Sequence, residues 1–357
     1  MRSTKSFLFV VCLLTAPLLQ SQEPDAFLCI RPKLYPQTAF AQKLTALPEW
    51  KPFCELFCNA VDKGITRELA DRQKLERVLP APFADLVAQA VTKRGFTFRQ
   101  AVEKVVSHLD AVIFVAETND SRRPTGLLAA IVDVDPSPSL GWVRILPDLV
   151  DGVTYNVLKE EANGDFISAI SFRHQGMLVK FCFAVVKLPD SRYALLFSDE
   201  ANIQRYFGEF KEGRTGEEYA EGFVEKLVIG NRFFRFFEEF GTRHHWSVQA
   251  AEVCAKIEKV ELGVRDIDGA THIEGRVSLR QSGDAAAAYA WLRGSLAFVQ
   301  FSTDARIGAD FLQTISIELN EPDAGVAVAI KLDHPALWSL MSHVLSKASD
   351  GIRKRGE

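Results

Sequence analysis

The spacing of apolar residues changes along the chain near residue 110. Before this point, apolar residues recur every three or four positions, which is the period of a helix with one buried face. A capping box at Thr97 and Gln100 marks the start of one such helix. Three more helices are predicted upstream, over 51–63, 66–79 and 82–91. They are separated by Gly64 and by the prolines at positions 80 and 82.

After residue 110 the apolar runs become short and continuous, as in strands that are covered on both faces. The Asn163-Gly164 pair predicts a hairpin turn, because both residue types accept positive φ. A helix is predicted after Asp199, which serves as its cap. The strands predicted in this part of the chain cover 111–116, 127–132, 155–160, 166–173, 177–187 and 193–197, with a broken helix over 139–150.

Nearer the C-terminus, apolar and polar residues alternate, which predicts antiparallel strands with one buried face. The alternation leads to a predicted Asp268-Gly269 hairpin turn and then resumes. A long helix, two more alternating strands and a final helix follow. The predicted elements, in order, are strands over 260–264 and 273–279, a helix over 282–301, strands over 315–319 and 326–332, and a helix beyond Asp333.

This order of elements predicts an α+β protein, with a helical N-terminal region followed by two similar blocks of antiparallel sheet with helices packed on one face. The two blocks open with a strand pair and close with a strand, an acidic cap and a helix. The predicted divisions are a signal peptide over 1–21, the helical region over 22–110, the first block over 111–213, a connecting helix over 214–250, the second block over 251–350 and a tail over 351–357.

The N-terminus predicts export. Arg2 and Lys5 precede an apolar run over 6–19, and polar residues follow, which is the order found in a secretory signal. Cleavage is predicted after Ser21, although Leu19 fits a cleavage site poorly, so an uncleaved N-terminal anchor stays as the alternative. The predicted location is therefore periplasmic or extracellular, with membrane contact only through an uncleaved signal.

Composition narrows the class of protein. Apolar residues make up 47% and charged residues 25% of the chain, which is the balance of a globular protein. Loss of Arg2 and Lys5 with the signal would change the net charge from −4 to −6. Because nucleic-acid binding needs clustered cations, this acidic balance argues against a nucleic-acid partner.

The cysteines predict neither a disulfide framework nor a zinc site. Five cysteines follow the signal, and an odd number at wide spacing does not form a set of pairs. Cys54 and Cys58 share one helix face, but the second ligand pair that zinc requires is missing. We expect most of these residues to be small buried apolar side chains, and a single disulfide stays open: Cys29, Cys54, Cys58, Cys182 and Cys254.

The segment NRFFRFFEEF, residues 231–240, is the most unusual stretch of the sequence. Its phenylalanines form one helical stripe, while two arginines and two glutamates cancel in charge. Nucleic-acid stacking and membrane-surface helices need surplus cations, which this segment does not have. The pattern favours burial in the core or between the blocks, and an apolar ligand or partner groove is the alternative. The stripe consists of Phe233, Phe236, Phe237 and Phe240.

No catalytic, cofactor-binding or metal-binding residue is predicted. His244 and His245 are adjacent and point in different directions, and His272 and His334 lie beside turns. Asp133 and Asp135 resemble the acidic end of a strand rather than a calcium loop. The searches for nucleophile elbows, phosphate-binding loops and dinucleotide fingerprints find nothing.

The arrangement of an export signal, a helical leader and paired strand–helix blocks resembles large secreted bacterial families known only as domains of unknown function. The resemblance covers most of the chain and rests on pattern, and it implies a compartment and an architecture but no catalytic residue. The leading hypothesis is a non-enzymatic cell-envelope module that binds a protein partner or has a structural role. The alternatives are a carrier of apolar ligands or lipid, suggested by the apolar strand over 177–186, and a hydrolase whose residues converge only in the fold.

Overall fold

A computed structural model describes residues 25–76, 84–85, 88–89, 106–118, 124–149, 152–174, 177–234, 255–302, 314–320 and 324–356. The predicted α+β class is confirmed, because these residues form one antiparallel sheet with helices around it. No helix within these ranges is long and apolar enough to span a bilayer. The likeness of the two blocks and the divisions between them stay predictions.

The described strands form a twelve-stranded sheet that runs across both predicted blocks without a break. Its order is β11-β12-β10-β9-β8-β1-β2-β3-β7-β6-β5-β4. The strands are β1 (Ala26–Ile30), β2 (Leu109–Thr118), β3 (Pro124–Val132), β4 (Thr154–Glu160), β5 (Phe166–His174), β6 (Met177–Lys187), β7 (Tyr193–Ser198), β8 (Glu225–Gly230), β9 (Ile257–Ile267), β10 (Ala270–Leu279), β11 (Ile315–Asn320) and β12 (Gly325–Lys331).

The helices flank this sheet, and the last one packs against α2. They are α1 (Ala39–Thr45), α2 (Trp50–Ala70), α3 (Arg72–Leu75), α4 (Ser137–Arg144), α5 (Leu146–Leu149), α6 (Glu200–Lys211), α7 (Ser282–Ser302) and α8 (Pro335–Gly356), with 3-10 turns at Pro32–Gln37 and Glu217–Ala220. The order β9-β10-α7-β11-β12-α8 is the one that the alternation predicted for the second block.

Two strands at the centre of the sheet need a correction to the predictions. β1 lies in the region predicted as helical, and β8 lies in the segment predicted as a connecting helix. β1 pairs with β2 on one side and with β8 on the other, so Leu28 lies beside both Phe114 and Leu227. Strands of five and six residues are too short to show a period. Phe223, Leu227 and Gly230 are spaced four and three positions apart, as on one face of a helix, but this spacing is coincidental.

A smaller correction concerns α2, which was predicted to break at Gly64. The helix continues from Trp50 to Ala70. A glycine in a helix interior costs only about 1 kcal/mol relative to alanine, and packing against α8 offsets a cost of that size. The helix predicted over 82–91 and the one behind Thr97 lie mostly outside the described residues.

Both predicted hairpin turns are confirmed. Gly164 has φ +91° between β4 and β5, and Asp268 and Gly269 have φ +50° and +74° between β9 and β10. The side chain of Asp199 accepts a hydrogen bond from the Asn202 backbone N–H at 3.0 Å, so it caps α6 as predicted.

Helices cover both faces of the sheet rather than one. Along β6, Cys182, Ala184 and Val186 pack under α6, while Phe183 and Val185 pack under α4 and α5. Because neighbouring residues of a strand point to opposite faces, a continuous apolar run needs cover on both sides. The core beneath α6 contains the largest fully buried side chains, among them Tyr206, Phe207 and Phe210.

One buried residue of α6 carries a carboxyl group. Glu209 is 6% exposed, and one of its carboxylate oxygens has no hydrogen-bond partner. Burial raises the pKa of Glu209 to about 7, and the ion pair with Arg205 at 3.5 Å opposes this shift without cancelling it. The folded state therefore keeps a proton on Glu209 at pH values where the unfolded chain has lost it.

We expect the free energy of unfolding to fall as the pH rises from about 4.5 to about 7, because the unfolded state then loses a proton that the folded state retains. Glu209→Gln removes this slope and stabilises the protein at pH 8 by about 1–3 kcal/mol more than at pH 5. Urea unfolding at both pH values measures the difference. The exposed residue Glu55 on α2 provides the control, since Glu55→Gln leaves the slope in place. Equal effects of Glu209→Gln at the two pH values would contradict the assignment.

Gly263 on β9 lies directly beneath the ring of Phe223. A Cβ atom at this position would lie 2.4 Å from Phe223 Cε1, well inside contact distance. The ring is also flanked by Lys226 Nζ at 4.5 Å and by the Arg265 guanidinium at 5.1 Å from its centroid. The glycine thus allows the ring to lie flat against the strand between two cations.

Gly263→Ala displaces the Phe223 ring, and we expect a loss of about 1–3 kcal/mol in the free energy of unfolding. Chemical denaturation measures this loss. Gly294→Ala is the matched control: Gly294 lies within α7 with no atom near its missing Cβ, so alanine there is neutral or stabilising by up to about 1 kcal/mol. An unchanged free energy of unfolding in Gly263→Ala would mean that the Phe223 ring moves away without loss of stability.

Candidate functional site

The hairpin of β5 and β6 extends beyond the strands on either side of it. β4 begins at Thr154, opposite Ser171, and β7 ends at Ser198, opposite Cys182. The two strands nevertheless continue to pair up to His174 and Met177. At ~3.3 Å per residue, β6 reaches about 17 Å past the end of β7 and β5 about 10 Å past the start of β4. We call the described residues 172–174 and 177–181 the ribbon.

The ribbon exposes large apolar side chains. Met177 is 65% exposed, Leu178 70% and Phe181 44%, whereas every residue from Cys182 to Val186 is buried. Phe172 and Phe181 pack on one face of the ribbon with ring centroids 5.9 Å apart, and Leu178 lies opposite Arg173 on the other face. An apolar patch of this kind on a protein surface indicates a contact site.

The charged residues of the ribbon are basic. Arg173 is exposed, and Lys180 forms an ion pair with Glu200 at the start of α6. Glu200 raises the pKa of Lys180. No aspartate or glutamate occurs between residues 172 and 181, although the whole chain has a net charge of −4. The ribbon is thus an apolar projection with basic residues on an acidic protein.

The phenylalanine segment that dominated the sequence falls only partly within the described residues. Residues 231–234 are helical, and Phe233 is buried against Ala26 and Ala116 of β1 and β2. The predicted burial is confirmed for this side chain. Phe236, Phe237 and Phe240 lie outside the described residues, as do His244, His245 and Cys254.

The other polar candidates have structural roles within the described part of the chain. His334 Nδ1 accepts a hydrogen bond from the Ala336 N–H at 3.2 Å at the start of α8. Asp135 accepts one from the Ser137 N–H at 2.8 Å at the start of α4. His272 is half-buried on β10. No group of three or more His, Cys, Asp or Glu in the described ranges could hold a metal ion.

Four of the five cysteines lie within the described residues, where they are free thiols. Cys29 and Cys182 are buried in the core, and Cys54 and Cys58 are half-buried on α2. Burial raises the pKa of Cys29 to about 11 and raises the pKa of Cys54 and Cys182. Thiols with raised pKa values are poor nucleophiles at neutral pH, as expected for small core residues.

The fold also assembles a charged cluster that the sequence did not predict. Asp133 accepts from Lys33 at 2.5 Å and lies 2.8 Å from His108 Nδ1. Lys33 also lies 2.7 Å from Asp110, and Arg192 forms two hydrogen bonds with Glu217 at 2.8 and 3.1 Å. These groups come from strand ends and turns that are up to 217 − 33 = 184 residues apart, so no local motif could reveal them.

Charge pairing explains this cluster. Asp110 and Asp133 raise the pKa of Lys33, while Lys33 and His108 lower the pKa of Asp133. A base for catalysis requires a pKa near neutrality, and the Lys33 and Asp133 pair shifts both groups away from it. The cluster therefore connects the ends of β1, β2 and β3 electrostatically.

A polar groove of about 930 Å³ lies between α1 and α8. Trp338 packs against Phe40 there, with ring centroids 5.4 Å apart, and Lys43 forms an ion pair with Asp333. Glu49 Oε2 and Trp338 Nε1 line the groove as buried atoms without a hydrogen-bond partner. Water or a polar ligand would satisfy them.

Comparison with known proteins adds little. No protein-family model and no curated protein matches the chain. Crystal form III of TP0453 is 9% identical, with a TM-score of 0.34 over 93% of this chain and 96% of that chain. Crystal form IV is 9% identical, with a TM-score of 0.35 over 92% and 95%. Likeness at this level carries no argument about function.

If the ribbon is a contact site rather than part of the core, its apolar side chains are dispensable for stability. We expect Met177→Ser with Leu178→Ser to change the free energy of unfolding by no more than about 0.5 kcal/mol. Leu196→Ala, at a fully buried position of β7, should cost about 2–5 kcal/mol. Chemical denaturation of both variants makes the comparison. A large loss in the ribbon variant would assign the ribbon a structural role.

Proposed function

We propose that this chain is an exported protein of the cell envelope that works as a binding module, and that the ribbon is its contact surface. The observation that carries the proposal is the exposure of Met177 and Leu178 at the end of a hairpin that has no neighbouring strand among the described residues. An isolated pair of strands has little stability of its own, so apolar side chains at its end gain more from a partner than from the fold.

Export is the second part of the proposal. It rests on the basic, apolar and polar order of residues 1–24. The likeness to secreted bacterial families is part of the same proposal. The net charge of −4, or −6 after cleavage, adds an argument against a nucleic-acid partner.

The contacts of β6 favour a binding module over a carrier of apolar ligands. The carrier hypothesis depended on the apolar run from Met177 to Val186. Its second half is filled by packing under α6 on one face and under α4 on the other, so it has no free surface for a ligand. Its first half is open to solvent and suits contact with another surface.

The hydrolase hypothesis has two candidate places, the charged cluster and the polar groove. The acids and bases of the cluster are paired with each other. In the groove, His343 is exposed, and Glu49 Oε2 has no hydrogen-bond partner among the described residues, so it makes no hydrogen bond to His343. We therefore favour a binding module over a hydrolase that uses the charged cluster or the groove.

Site-specific photo-crosslinking tests the proposal. A benzophenone amino acid replaces Leu178 in the chain expressed in its own host, and cells are illuminated. The matched control carries the same group in place of Trp291, which is also 70% exposed but lies on α7 at the other end of the sheet. We expect adducts, with either a protein or a lipid, at position 178 and not at 291. Equal labelling at both positions, or none at 178, contradicts a binding role for the ribbon.

A further inference from the structure

We infer that the ribbon docks on the surface of an anionic lipid bilayer. This inference rests on the proposed function, because it names the partner of the same surface. Three features of the ribbon carry it: the type of its apolar residues, the sign of its charges and the distance by which it projects.

The first feature is composition. Tyrosine and tryptophan are the commonest hot-spot aromatics of protein–protein contacts, which are also enriched in phenylalanine, methionine and arginine and depleted in lysine. The ribbon contains neither tyrosine nor tryptophan, and it contains Lys180. Phenylalanine and leucine on an apolar face, together with lysine and arginine on the polar positions, are the residues that bind at the boundary between lipid headgroups and acyl chains. In the ribbon, Phe181 is exposed on the face where the half-buried Phe172 packs, and Leu178 is exposed on the other face together with Arg173 and Lys180.

The second feature is charge. Arg173 and Lys180 are the only formally charged residues in the ribbon, and both are basic. On a protein with a net charge of −4, an anionic bilayer repels most of the surface and attracts this projection. Glu200 neutralises part of the charge of Lys180 at the base of the ribbon, so Arg173 supplies most of the attraction. The same charges would repel each other if two ribbons met in a dimer.

The third feature is length. The ribbon projects about 10 Å beyond the start of β4, which matches the ~5–10 Å depth of the headgroup and acyl boundary. Within the described part of the chain, the outer edges of β5 and β6 have no strand partner along the ribbon, so their backbone N–H and C=O groups need water or headgroups. Docking therefore stops at the interface and does not cross the bilayer.

Vesicle flotation tests the inference. The full chain is mixed with vesicles of phosphatidylcholine alone or with 30% phosphatidylglycerol, about a third of the lipid being anionic. Met177→Ser with Leu178→Ser should lower binding to anionic vesicles about tenfold or more, because two exposed apolar side chains are lost. Arg173→Glu should lower binding about tenfold on anionic vesicles and leave binding to neutral vesicles unchanged.

Trp291→Ser is the matched control, since it removes an equally exposed apolar side chain elsewhere, and its binding should equal that of the parent. The apolar residues 6–19 can float the full chain by themselves, so the comparison is repeated with residues 1–21 removed from every variant. Ribbon variants that bind like the parent, or an equal loss in Trp291→Ser, overturn the inference. If a protein adduct forms at position 178 in cells while the ribbon variants float like the parent, the binding module stands and the bilayer is excluded as its partner.

Discussion

The pairing of β1 on both sides is the interaction on which the rest of the sheet depends. Five residues, Ala26–Ile30, separate β2 from β8, and without them the sheet would have two additional open edges in its centre. Phe27 and Cys29 are buried in the core beneath α6, so the strand also contributes apolar packing. The guanidinium of Arg31, the residue after β1, donates hydrogen bonds to the backbone carbonyls of Glu217, Ala220 and Phe223 and so fixes the end of the strand.

This central constraint also explains why a contact surface can exist at the edge. Packing on both faces and ion pairs at the strand ends hold the middle of the sheet. Among the described strands, the ribbon beyond β4 and β7 pairs only with itself. Regions with few buried contacts have low local stability, so the ribbon can rearrange against another surface without unfolding the core. In this arrangement the apolar residues of β6 serve two purposes along one strand, packing from Cys182 onward and exposure before it.

Much of the fold could be predicted where the local signal was long. β6 was predicted over its full length, and α6 buries the face that its spacing indicated. Gly164, Asp268 and Gly269 have the positive φ that these residue types favour in turns. The prediction failed at β1 and β8, because these strands are too short to show a period. It also failed at Gly64, because a glycine can lie either inside a helix or at its end. The ribbon was recognised only as an apolar strand, because exposure depends on where β4 and β7 end.

The sequence by itself determined the α+β class, most of the strands and helices, the acidic balance and the segment that predicts export, because these follow from local period and composition. Tertiary structure alone decided that β1 joins two halves, that Lys33, Asp133 and His108 meet, and that Leu178 stays in water while Ala184 does not. The physical reason is that pairing and burial depend on strands far apart in the chain, and apolar residues of one strand give no local sign of which neighbours will cover them.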